Sequence, residues 1–154
     1  MSKSAAAQEL KARVDIVEET YEYCLAYAAK GVGVQMAAST DTPVRERLQK
    51  LAAALPELPE CFLGLVEERG GAAHEHYQAF IDVLRRDADT ALAAVRLVLA
   101  QSGITSQMVD NLNGMIHLRA LLTDVFLVDE MLRPDAEHPP HKSPDDADSP
   151  PANS

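Results

Sequence analysis

The sequence predicts an all-α protein: an up-down four-helix bundle whose second helix is broken by prolines, with a disordered acidic tail at its C-terminus. Three observations lead there. Apolar residues recur in a 4-3-4-3 rhythm through segment after segment, which is the period of one helix face. No run alternates with the period of two that a half-buried strand needs. After Leu132 the apolar period vanishes into Pro, Asp and Ser. The chain has 154 residues and is 47% hydrophobic, which suits one domain with a real core. With 5% aromatic residues and no Trp, that core must be built from Leu, Val and Ala.

The first stripe is Leu10, Val14, Val17, Tyr21, Cys24 and Ala28, and the opposite side carries Lys11, Asp15, Glu18, Glu19 and Glu22. Gly31 and Gly33 close this helix, with Lys30 near its negative dipole end. A polar connector, ASTDTP, follows. Thr42 then caps a second helix whose first position is Pro43, where the missing N–H costs nothing. Its stripe is Val44, Leu48, Leu51, Leu55, Leu58, Phe62 and Leu65. Pro56 and Pro59 interrupt it, so the spacing predicts a helix to Leu55, a break, and a further helix from Pro59 to Glu68, ended by Gly70-Gly71.

The third stripe, Tyr77, Ile81, Leu84, Ala88, Ala91, Val95 and Val98, runs to a stop at Ser102-Gly103, with Asp82, Arg85, Arg86, Asp89 and Arg96 on its polar side. A fourth helix is predicted from Thr105 as cap, with Ile104 and Val109 stapled across it. Its apolar set is Met108, Leu112, Met115, Leu118, Leu122, Val125, Val128 and Leu132. Leu121, Phe126, Leu127 and Met131 add to it, which exceeds one face. A helix that is apolar on most sides is central in its bundle or buried against a second copy. Leu118, Leu122, Val125, Phe126, Leu127 and Met131 are therefore the expected interface. The domains are then a bundle over 1–133 and a tail over 134–154.

The fourth helix also carries the most notable polar residues. In VDNLNGMIHLRALL, residues Asp110, Asn113, Gly114 and His117 form one stripe, and Asp124 extends it. Asp110, Asn113 and His117 are the candidate ligand-binding residues, with Glu18, Glu22 or Tyr23 of the first helix as partners. Asp110 and His117 lie about 10 Å apart along a helix axis, too far for a dyad. Gly114 costs about 1 kcal/mol relative to Ala, and close approach of another helix is the expected compensation.

Other chemistry finds little support. HEHYQ begins like a zinc-protease helix, but Gln78 stands where the second His is required, and His74 and His76 point to different sides. The chain has no Glu-x-x-His pair of the kind di-iron bundles use. GVGVQM at Gly31 lacks the last glycine and the preceding strand of a dinucleotide loop. His138 and His141 sit in the tail without a second shell. Cys24 and Cys61 read as core thiols with no His beside them. No catalytic residue, metal or cofactor is therefore assigned. A net charge of −10 argues against nucleic acid and anionic membranes. With no signal-like or membrane-spanning apolar run, the expected location is cytoplasmic. The functional expectation is a non-enzymatic, homodimeric interaction module that binds an unidentified protein partner. The alternative is a bundle that binds a small molecule or metal at the polar stripe.

Overall fold

The computed structural model describes residues 4–69, 71–114 and 116–131, and of Ile116, His117, Leu118 and Asp129 the backbone alone. The tail at 134–154, the expected domain boundary before it, Met115, Leu132 and the His138/His141 pair lie outside the described residues. The described chain is all-helical: α1 (Ala5–Ala29), α2 (Val34–Thr40), α3 (Thr42–Ala54), α4 (Leu58–Arg69), a 3-10 turn (Gly71–Ala73), α5 (His74–Leu99), α6 (Ser106–Gly114) and α7 (Ile116–Met131). No strand occurs among the described residues.

Local chemistry sets the ends of these helices. Ser4 caps α1, its side-chain oxygen accepting the Ala7 N–H at 3.2 Å. Gly31 ends the segment in the left-handed region, φ +67°, which a glycine adopts without a Cβ clash. The segment expected to be a polar connector instead forms α2. Its Ser39 and Thr40 hydroxyls donate back to the Met36 carbonyl at 3.0 and 2.8 Å, so the polar residues finish a helix rather than make a loop. Only Ala37 of α2 is buried, and one residue leaves no periodic stripe to read. The capping residue of α3 is Asp41 rather than Thr42, one position earlier than expected.

Burial runs without a gap along both sides of the proline turn. Val44, Leu48, Leu51 and Ala54 of α3, then Leu55, then Leu58, Phe62, Leu65 and Val66 of α4 are all inside. Leu55 still bonds back to Leu51 at 3.0 Å and Glu57 to Ala54 at 3.2 Å. Pro56 stands in the turn between the two helices, whereas Pro59 lies in the first turn of α4, where a missing N–H is harmless. The expected fourth helix is described as α6 and α7, on either side of Met115. Thr105 caps α6, accepting the Met108 N–H at 3.2 Å, and the flanking Ile104 and Val109 are both fully buried.

Helix α1 packs on α3, α4 and α6, while α5 packs on α3, α4 and α7. All contribute to one core of Leu, Val, Ile, Ala and Cys, with Phe62 and Tyr27 its fully enclosed aromatics. Burying each large aliphatic side chain contributes about 1.5–3 kcal/mol.

Candidate functional site

Two described members of the polar stripe predicted on the fourth helix, Asp110 and Asn113, sit one turn apart in different surroundings. Asp110 is exposed and lines an open depression of about 280 Å³ with Ala28, Gly31, Val32, Ser106 and Gln107. Asn113, one turn on, is 5% exposed, and neither atom of its amide has a hydrogen-bond partner. The His117 side chain lies outside the described residues. Tyr23 is not a partner to this group: its ring lies 5.1 Å under the Arg47 guanidinium of α3. No described residue makes the close helix approach expected at Gly114, where a Cβ would meet nothing within 4 Å. The close approach belongs to Gly103. A Cβ at that position would lie 3.1 Å from Ala37 Cβ and 3.2 Å from the Ala38 backbone nitrogen, so a glycine is what lets α2 seat.

Beneath the depression lies a buried polar network the sequence did not suggest. Tyr27 Oη donates to the Ile104 carbonyl at 2.6 Å, and Ser106 Oγ donates to the Tyr27 carbonyl at 2.7 Å. Ser106 Oγ also accepts the Val32 N–H at 2.8 Å. Beside it, the buried Asp41 carboxylate accepts the Ile104 N–H at 2.8 Å and pairs with Arg45 at 2.9 Å. The same guanidinium donates to the Leu99 and Gln101 carbonyls, at 2.8 and 3.0 Å. Burial alone would raise the Asp41 carboxyl, but the Ile104 N–H and the Arg45 guanidinium outweigh it and hold it below its ordinary value. This network joins the ends of α1 and α5 to the starts of α3 and α6.

A second polar feature lies between α5 and α7. Asp124 points inward from α7 toward Asp87 of α5, both half-buried, and Asp124 Oδ2 is shielded from solvent with no hydrogen-bond partner. Burial first, and then the hydrogen bond and charge of Asp87, push the Asp124 carboxyl up to about 7. The sequence reading included Asp124 but passed over Asp87. The available signal was its place just before Ala88 on the third stripe.

The expected interface residues also divide. Val125 is fully buried in the chain's own core rather than facing outward, and Leu122 is half-buried against it. Phe126, Leu127 and Met131 face out, at 52%, 43% and 59% exposure. The Leu118 side chain lies outside the described residues.

The two thiols are poor nucleophiles. Burial pushes Cys24 up to about 11, and it also raises the half-buried Cys61. Among the described residues, no three His, Cys, Asp or Glu side chains come together to hold a metal ion. Also among them, no helix is long and apolar enough to cross a membrane. Compared with protein-family models, curated proteins and solved structures, the chain matches none.

Proposed function

We propose that this chain is a non-enzymatic interaction module built as an up-down bundle of four rods, α1, α3–α4, α5 and α6–α7, and that it self-associates through the outer face of α7. The up-down course is supported by cross-helix contacts in which one residue number climbs as its partner's falls. Arg13 meets Glu57 at 2.8 Å and Glu19 meets Arg47 at 4.0 Å, joining α1 to the α3–α4 rod. Arg45 meets Leu99, and Glu60 meets Arg85, joining that rod to α5. Tyr77 meets Met131 at 3.4 Å at one end of the α5–α7 seam, and Asp87 meets Asp124 farther along it.

One observation carries the functional reading. The inner side of α7 is spent on the core through Leu121, Val125 and Val128, yet its outer side still presents Phe126, Leu127 and Met131. Three large apolar residues on one short exposed face mark an association surface. A second copy is the occupant this face fits. An isologous twofold contact sets this one apolar patch against itself, so that a single face serves both copies. A single helix face is smaller than the roughly 800 Å² per partner of a standard interface, so the expected dissociation constant is about 10 µM or weaker.

Sedimentation of the full chain over a concentration series tests this. A reversible monomer–dimer equilibrium that Phe126→Glu with Met131→Glu abolishes, at unchanged helical content, is the expected result. A wild-type chain that stays monomeric at all concentrations sinks the reading.

A second reading, a bundle that takes up a small polar molecule or a metal, has one observation in its favour: the buried, unpartnered amide of Asn113. Native mass spectrometry separates the two, since a bound ligand adds mass per chain whereas self-association doubles it.

A further inference from the structure

The inner face of α7 carries a feature that its outer face does not explain. Asp124 sits among Leu121, Val125 and Val128, all buried, and its Oδ2 is closed off from water with no donor on it. Across the seam, Asp87 adjoins buried Ala88 and lies one turn from Leu84 and Ala91. An ionised oxygen so placed lacks the hydrogen bonds that a buried charge needs. One proton removes that charge and turns a repulsion between two carboxylates into a hydrogen bond.

We propose that Asp87 and Asp124 form a proton-operated joint between α5 and α7, closed while the two carboxyls hold one proton between them and loosened when both are ionised. The Asp124 carboxyl, raised by burial and by Asp87 to about 7, places that change at neutral pH. Several other charged groups on the elements around α7 are engaged elsewhere or exposed. On α5, Arg85 pairs with Glu60, Arg86 lies outside against the Asp82 carbonyl, and Asp89 is exposed. On α1, Lys11 pairs with Asp15, and Arg13 pairs with Glu57 and reaches the Glu9 carbonyl. On α6, Asp110 lines the distant depression. Among the described residues, Asp87 alone bears on the proton affinity of Asp124. The joint does not depend on self-association, because it uses the opposite face of the helix.

The sign follows from the raised value. Docked, Asp124 holds its proton more tightly than when α7 swings free, where an aspartate titrates near its ordinary value of about 4. Docking is therefore strongest at acid pH, weakens as pH rises from about 4 to about 7, and stays at the weaker level above that.

Hydrogen exchange of the full chain, corrected for the intrinsic pH dependence of exchange, reads this directly. The opening constant of the α7 amides should rise about tenfold per pH unit between roughly pH 5 and 6.5 and level off above about 7. Asp124→Asn should flatten that profile. Asp87→Asn should move its midpoint down, because the repulsion is gone while the burial remains. Carbon-13 titration of the Asp124 carboxyl in the unmutated chain gives the midpoint without any variant. A midpoint near the ordinary aspartate value overturns the proposal. So does an α7 profile that is flat from pH 5 to 8, an Asp124→Asn chain with the wild-type profile, or a midpoint that Asp87→Asn leaves in place.

Discussion

Asp41 shows how much one polar residue can hold. It is the last residue before α3, yet its carboxylate binds the Ile104 N–H across the molecule and orients Arg45 onto two carbonyls at the end of α5. Asp41→Ala leaves that buried N–H unsatisfied and is expected to cost about 2–3 kcal/mol at neutral pH, as measured by urea unfolding. The carboxyl is held below its ordinary value, so the charge contributes fully above pH ~4. Its contribution is lost as pH falls through the folded value, and the gap between wild type and variant should close in strong acid. A gap that stays constant down to pH 2 would mean the side chain acts through packing rather than charge. None of this was legible beforehand. Asp41 reads as one more polar residue in ASTDTP, because a hydrogen bond spanning 63 positions leaves no trace in local spacing.

The helices differ in how plainly they announced themselves. The first three stripes could be read because their apolar residues repeat over several turns and point at one core. The pattern missed α2 because it buries one residue, which leaves no periodic stripe to read. Gly114 suggested a close crossing that in fact occurs at Gly103, where α2 lands. Two substitutions separate these glycines. Gly103→Ala pushes a methyl against Ala37 and the Ala38 backbone and is expected to cost about 1–3 kcal/mol, with faster exchange confined to residues 34–40. Gly114→Ala meets open space at a backbone angle without positive φ, and should be neutral or stabilise by about 0.5 kcal/mol. Equal losses from both would show that α2 is not held by that contact.

Taken together, the polar stripe that drew attention in the sequence holds an exposed acid and a buried amide one turn apart, while α7 emerges as the helix with two distinct faces. Its inner face meets α5 through an acid pair, and its outer face is apolar. The net charge of −10 then decides how the proposed dimer responds to salt. Two such bodies repel through solvent over a Debye length that shrinks from about 30 Å at 0.01 M salt to about 10 Å at 0.1 M. Exposed cross-pairs at such a contact are each worth only about 0.2–1 kcal/mol. Burial of Phe126, Leu127 and Met131 is not screened at all. Repulsion between the two bodies therefore outweighs the cross-pairs, and the dimer should tighten as sodium chloride is raised from about 0.02 to 0.3 M. Sedimentation equilibrium at fixed protein concentration measures this. A dimer that instead dissociates as salt rises is held by ion pairs, and its contact surface is then somewhere other than the apolar face of α7.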